Sequence, residues 1–244
     1  MLLPESVDDD WRGVFEHMFR TETSSSRQML YRFDRQHEIM IDNYRRLLRR
    51  LDPGRLVLDV GCGHGKLAAP LIAAHRVVGV DFLHLGLPSA RAHGLIVFQA
   101  DASALPFVDD QFDVVICAEV LQNLVDIRGV MAELGRVCRP DGLVLVSTLN
   151  RVSVLRRAAG VVRWLQRRRP VSRAEQFIQT ARQRTAAEIV ADVERGPLAL
   201  RDVTWAHFPS RRVSTTRGPS YWGAPFASNI ILMFQKRARA DGAS

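Results

Sequence analysis

Residues 57–71 read VLDVGCGHGKLAAPL, with Gly61, Gly63 and Gly65 falling in five positions directly after a run of branched apolar residues. The apolar run has the composition of a buried strand. Glycine is costly wherever backbone must be ordered, so three together mark a turn where the chain has to let something approach its backbone. A strand, a glycine turn and a helical stretch in that order open a doubly wound sheet, in which ligands bind beyond the strand C-termini.

The rest of the chain has the alternation such a sheet needs. Strands are predicted near 56–60, 77–81, 95–99, 113–118, 143–148, 199–205 and 229–235, with helices near 26–52, 65–74, 127–138 and 185–195. Strands alternating with helices give a parallel sheet covered on both faces. The join between the last two strands, HFPSRRVSTTRGPSYWGAPFA, has no helical period, so an antiparallel last strand is expected. The fold class is therefore α/β, a Rossmann-like, mostly parallel, doubly wound sheet. One domain is expected over 1–244, with an N-terminal helical extension (1–54) and a basic insert (151–184).

Composition narrows the setting. A chain of 244 residues, 47% apolar and 25% charged, builds an ordinary globular core. Its longest apolar runs, such as LVLVSTL and IILMF, are too short to cross a bilayer, and the acidic start MLLPESVDDDWRG is unlike a secretory signal. Cys62, Cys117 and Cys138 form no CxxC pair, which predicts a reducing, cytoplasmic location and no metal cage. The net charge of +8 is not spread like a nucleic-acid footprint. Residues 151–184 hold ten arginines and one acid, a balance of +9, which leaves about −1 elsewhere. Those arginines lack interleaved aromatics apart from Trp164, so nucleic acid is not the expected partner.

The strand ends point to the ligand. Asp59 closes the first strand, ahead of a turn containing Gly61, Cys62, Gly63 and Gly65, where its carboxylate could hold a cationic amino group. Asp81, followed by Phe82, closes the second strand twenty residues after Gly61, the place from which a carboxylate accepts ribose hydroxyls. Asp101 could meet an adenine amino group after the third strand, with the Ala102 N–H on a ring nitrogen, and Ala118 and Glu119 end the fourth as cofactor contacts, although Glu119 could also face the ligand's reactive group. Singly, Asp59 could cap a helix, and Asp81 and Asp101 could be solvated turn residues. Together they lie along one crevice. A nicotinamide dinucleotide would call for GxGxxG, whereas here the spacing is GxGxG with Lys66 in the last glycine's place. Lys66 and Lys236 are the only lysines, and neither belongs to a Tyr-x-x-x-Lys pair. A ligand with an ammonium, a ribose and an adenine but no pyrophosphate is S-adenosylmethionine.

VLDVGCGHG, VVGVD, QADASALPF, FDVVICAEVLQNL and LGRVCRPDGLVLVSTLNR resemble the successive motifs of class I S-adenosylmethionine-dependent methyltransferases over residues 55–151. STLNR, the insert, EQFIQTARQRTAAEIV and ASNIILMFQK resemble the order of parts in ubiquinone-biosynthesis O-methyltransferases. That resemblance implies methyl transfer to a small molecule, with oxygen favoured over nitrogen or carbon. It also implies a divalent metal on Glu-x-x-Glu-His after the fourth strand. Here the stretch is Glu119-Val-Leu-Gln122-Asn123, one ligand of three, so no metal is expected. His207 in TWAHFPS is the candidate base, while His64 and His84 lie beside the cofactor motifs.

Leu155, Ala158, Ala159, Val162 and Leu165 share one helical face, flanked by arginines. Residues 151–169 could therefore lie over the acceptor as a lid or touch a membrane surface. The competing functions are an RNA methyltransferase and a non-catalytic S-adenosylmethionine-binding protein. The Asn- or Asp-Pro-Pro-aromatic motif of many base-methylating enzymes does not occur after the fourth strand, where AEVLQNL stands instead.

Overall fold

The structure is a computed structural model, and it describes residues 41–44, 46–49, 51–124, 126–154, 184–206, 213–217, 227 and 229–238. Its centre is an eight-stranded sheet of β1 (Leu56–Val60), β2 (Arg76–Asp81), β3 (Ile96–Gln99), β4 (Phe112–Ala118), β5 (Cys138–Leu149), β6 (Leu198–Ala206), β7 (Val213–Arg217) and β8 (Asn229–Lys236). The order across the sheet is β3-β2-β1-β4-β5-β8-β6-β7. β1 pairs in parallel with β2 on one side and β4 on the other, which sets Asp59 opposite Gly79 and Ile116. The order therefore reverses at β1, and its C-terminal end is the switch point where a doubly wound sheet opens a crevice.

β8 is antiparallel to both β5 and β6, as expected of the last strand, but it lies inside the sheet rather than at its edge. The edge strand on that side is β7, which pairs antiparallel with β6. It lies in the join that the sequence reading left without a strand. VSTTR carries two β-branched threonines and a valine, a short strand signal hidden among arginines, prolines and glycines.

Two apolar layers sandwich the sheet. On one face α2 (Ile127–Val137) packs Ile127, Val130, Met131, Leu134 and Val137, an i, i+3, i+4, i+7 stripe, beside α3 (Ala186–Val193). α2 starts at Asp126, whose side chain accepts from the Gly129 N–H, and α3 starts with a capping box between Thr185 and Glu188. On the other face Tyr44 and Leu48, from helical residues 41–44 and 46–48, pack with Leu67, Leu71, Ala90 and Leu95. The predicted helix over 65–74 does not form as such. That stretch is a series of turns with a single 3-10 turn at Ala69–Leu71. Pro70 is the reason, since it has no N–H to donate and its ring crowds the preceding turn. A short helix not expected from the sequence, α1 (Leu87–Ala92), follows β2.

The three cysteines are buried and unbridged. No described helix is long and apolar enough to cross a membrane. Residues 1–40 of the extension, 155–183 of the insert and His207 lie outside the described residues.

Candidate donor and acceptor site

All three loop glycines adopt positive φ, at 77° for Gly61, 49° for Gly63 and 77° for Gly65. Their roles differ. A Cβ on Gly61 would strike the Val120 side chain, and one on Gly65 would come within 2.9 Å of the Ala90 backbone. Those two glycines let neighbouring segments pack. A Cβ on Gly63 would meet nothing within 4 Å, so open space lies over that residue alone of the three. Two further glycines shape the loop. A Cβ on Gly86 would fall 2.6 Å from the Gly63 carbonyl, and one on Gly79 would fall 2.9 Å from the Cys62 sulfur.

Four of the loop's N–H groups are already used. Gly61 and Cys62 donate to the Val80 carbonyl (2.8 and 3.0 Å), Gly65 donates to Cys62 (2.8 Å), and Gly63 donates to Asp81 Oδ2 (2.8 Å). With the expected helix replaced by turns, the loop offers a ligand a close surface rather than the row of unpaired donors that a helix start would provide.

Asp59 is 2% exposed, and its Oδ2 has no hydrogen-bond partner. Burial, and then the nearby Asp81 carboxylate, push its pKa up from 3.8 to about 7. Asp81 accepts from the Leu83 N–H through Oδ1 and the Gly63 N–H through Oδ2, both at 2.8 Å. Burial raises its pKa against the lowering effect of those two bonds. A carboxylate has about four lone-pair sites, so Asp81 keeps acceptor capacity for ribose hydroxyls while fixing the loop. Phe82 is half-buried beside it, and its carbonyl accepts from Gln99 Nε2 at 2.9 Å.

Asp101 is exposed, and its Oδ1 accepts from both the N–H (2.9 Å) and the hydroxyl (2.7 Å) of Ser103. The half-buried Ala102 packs against the core beside it. Cys62 and Cys117 are buried thiols pushed up by burial first and the Asp59 charge second, so they stay protonated.

At the end of β4, Glu119 has a φ of 58°, unusual for a residue with a Cβ. Its N–H donates to the Ser147 carbonyl and lies 3.1 Å from Ser147 Oγ as well. Its Oε1 accepts from Ser147 Oγ and Asn229 Nδ2, each at 3.1 Å, and its Oε2 accepts from Gln122 Nε2 at 3.4 Å. Gln122 Oε1 in turn accepts from Thr148 Oγ1 at 3.0 Å. Ser147, Thr148 and Asn229 are each 2% exposed or less. Tyr44 is fully buried on the same face, and desolvation pushes its phenol well up. Ser147, Glu119, Cys117 and Asp59 all act on its hydroxyl, yet that hydroxyl makes no hydrogen bond of good geometry.

The fold therefore brings Asp59, the glycine loop and Asp81 together at the switch point, with Glu119 on the neighbouring strand end. Tyr44, Ser147, Asn229, Gly79 and Gly86 were not singled out from the sequence. Polar residues interrupting or opening apolar strands, in LVLVSTL and NIILMF, were the available signal for two of them. A cavity of about 140 Å³ lies at the opposite end of the sheet, bounded by Arg55, Asp113, Arg139 and Arg201 among others. Arg55 and Arg139 are already paired there with Asp113.

Residues 58–146 match the family model described as a methyltransferase domain. The chain is 38% identical over 106 residues to a ubiquinone biosynthesis O-methyltransferase of Bordetella bronchiseptica, covering 40% of this chain and 44% of the relative. It is 31% identical over 170 residues to the protein of that name from Azorhizobium caulinodans, covering 64% of each. Thus the chain spans less than two thirds of the length of the curated relatives it matches, and under half of several. A SAM-dependent methyltransferase from Thermotoga maritima has the same fold, with a TM-score of 0.64 at 18% identity over 93% of this chain and 96% of that one. The fold is that of the Rossmann-like methyltransferases. Over residues 58–146 the chain is similar to methyltransferase domains, and it shares its fold with a protein described as an S-adenosylmethionine-dependent methyltransferase.

Proposed function

We propose that the chain moves a methyl group from S-adenosylmethionine to a small, lipophilic acceptor, at oxygen. The observation that carries the donor half is Asp59 Oδ2, a buried carboxylate oxygen without a partner, near the Asp81 carboxylate that holds Gly63 under open space. Leaving such an oxygen unpaired costs on the order of 1–3 kcal/mol, which a ligand's ammonium would recover. Asp59 would hold that ammonium, Asp81 the ribose hydroxyls, and Asp101 with Ala102 the adenine, with Cys62, Phe82 and Ala118 as the walls. S-adenosylmethionine brings the reactive methyl on its sulfonium sulfur. The chain's own task is to align the acceptor with that methyl and keep water out, worth roughly 7 kcal/mol or more in favourable cases.

The acceptor half is supported by the names of the Bordetella and Azorhizobium relatives and by the amphipathic, arginine-flanked pattern of 151–169. The test is incubation of the protein with methyl-labelled S-adenosylmethionine and a bacterial extract, followed by separation of lipid, small-molecule and RNA fractions. Label should appear in an alkali-stable ether of a lipid or small molecule. Label in RNA would overturn the acceptor class. Donor binding without label in any fraction would leave a binding protein rather than an enzyme.

A further inference from the structure

We infer that Glu119 is the acceptor-side base of this enzyme, working without a metal in a ring of uncharged hydrogen-bond donors. This inference rests on the methyl-transfer reading above and gives it a mechanism on the acceptor side. The Glu-x-x-Glu-His set of the ubiquinone-type enzymes does not fit here, because the residues present have the wrong donor chemistry. Gln122 stands where the second carboxylate would be, and its amide is oriented at both ends. Thr148 Oγ1 donates to Gln122 Oε1, which turns Gln122 Nε2 toward Glu119 Oε2. An N–H thus occupies the side of the carboxylate that a cation would need. The described residues contain no group of three His, Cys, Asp or Glu side chains able to hold a metal ion. Asn123 in the histidine's place would be a weak ligand at best.

What remains is a carboxylate built for one more partner. Oε1 accepts two hydrogen bonds, from Ser147 Oγ and Asn229 Nδ2, which fills its two lone pairs. Oε2 accepts only the long 3.4 Å bond from Gln122. Oε2 is therefore the oxygen with capacity for a ligand's hydroxyl. Glu119 is half-buried rather than enclosed, while Ser147, Thr148 and Asn229 behind it are buried. The backbone is held at φ 58°, so that the Glu119 N–H points back to Ser147 and the side chain lies across the ends of β5 and β8. Strain of this kind persists only where the surroundings impose it. β1 and β4 are adjacent, so this carboxylate ends the strand next to Asp59 and the donor crevice.

In the reaction, the acceptor's O–H proton passes to Glu119 Oε2 as the O–CH₃ bond forms. The C–S bond breaks with its electron pair going to sulfur. The products are the methyl ether, neutral S-adenosylhomocysteine and a protonated Glu119, which later releases its proton to solvent.

The experiment has two arms on the full chain. The first titrates Mn²⁺ in the presence of S-adenosylhomocysteine, followed by the electron paramagnetic resonance of the free ion. Wild type should show no saturable site tighter than about 1 mM. The paired change Gln122→Glu with Asn123→His should create one that Glu119→Gln removes. A tight Mn²⁺ site in wild type, lost in Glu119→Gln, would overturn the inference. This arm needs no acceptor. The second arm compares wild type and Glu119→Gln, with Glu119→Asp as the conservative variant, in methyl transfer to an alkylcatechol probe. Glu119→Gln should bind S-adenosylhomocysteine within about threefold of wild type, yet transfer methyl 10²–10⁴-fold more slowly near pH 7. Its rate should climb as pH rises toward the ionisation of the catechol itself, because a phenolate needs no base, and Glu119→Asp should recover part of the loss. Weakened S-adenosylhomocysteine binding with kcat retained would make Glu119 a donor contact and overturn the base assignment. So would a pH profile that only His207→Ala alters. Failure of S-adenosylhomocysteine to bind wild type at all would instead overturn the donor site.

Discussion

At the residue scale, the proposed ligand recognition rests on one glycine and one aspartate. Gly63→Val should abolish donor binding, because it fills the open space over the loop and forces a β-branched residue to φ 49°. A calorimetric titration with S-adenosylhomocysteine reads this directly, and wild-type affinity in that variant would contradict it. Asp59 predicts a pH effect. Its folded pKa is raised to about 7 from an ordinary value of 3.8, so between those values the folded chain holds a proton that the unfolded chain has released. Its contribution to stability is complete below that window, falls as pH rises through it and levels off above about pH 7, by up to about 4 kcal/mol. Asp59→Asn should flatten this fall in thermal melts. Donor affinity should run the other way and rise toward about pH 7 as Asp59 ionises to meet the ammonium, a rise the Asn variant should lose. Identical pH profiles for both proteins would rule out the role. The places of Asp59 and Asp81 in the fold were legible in the sequence because each falls at the C-terminal end of a short apolar run. Their separate partners were not, since the Gly63–Asp81 bond depends on how the loop folds back.

At the element scale, the strands around the switch point could be read from alternating apolar runs, whereas the connections were harder. The helix expected over 65–74 failed on one proline, and β7 was missed because its five residues lie within a turn-rich join. The interior place of β8 was not legible either, because antiparallel pairing on both sides leaves no mark in its apolar centre, IILMF. Its end is locked by a residue that the sequence reading used only as a negative. Lys236 Nζ donates to Asp110 Oδ1 at 2.5 Å and to the Cys138 carbonyl at 2.7 Å, while only 9% exposed. Lys236→Met keeps the apolar stem but removes the ammonium that Asp110 Oδ1 and the Cys138 carbonyl accept from. It should cost about 3 kcal/mol, or roughly 6–12 °C in melting temperature for a chain of this size. Donor affinity should stay unchanged in the variant at temperatures where it is folded, because the lock lies at the opposite end of the strands from the site. A melt within a degree of wild type would show the lock to be dispensable.

At the scale of the whole molecule, charge and chemistry fall on different parts of the chain. The +9 segment of 151–184 carries the basicity, while the proposed donor crevice is built from carboxylates and glycines. If the insert touches membranes, replacing Arg167, Arg168 and Arg169 by Gln should weaken binding to anionic vesicles, at about 1 kcal/mol per arginine, and spare donor affinity. Wild-type vesicle binding that is equal on neutral and anionic lipid would instead leave the segment as a substrate lid. The central claim is that the β1/β2/β4 strand ends bind the adenosyl donor, and titration of S-adenosylhomocysteine into wild type and Asp81→Ala tests it most directly. Wild type should bind one equivalent saturably. The variant should lose roughly 1.5–3 kcal/mol, about 10- to 150-fold in affinity, with the ribose hydroxyls unpaired and the Gly63 N–H released. Equal affinities in the two proteins, or no saturable binding by wild type, would contradict the account.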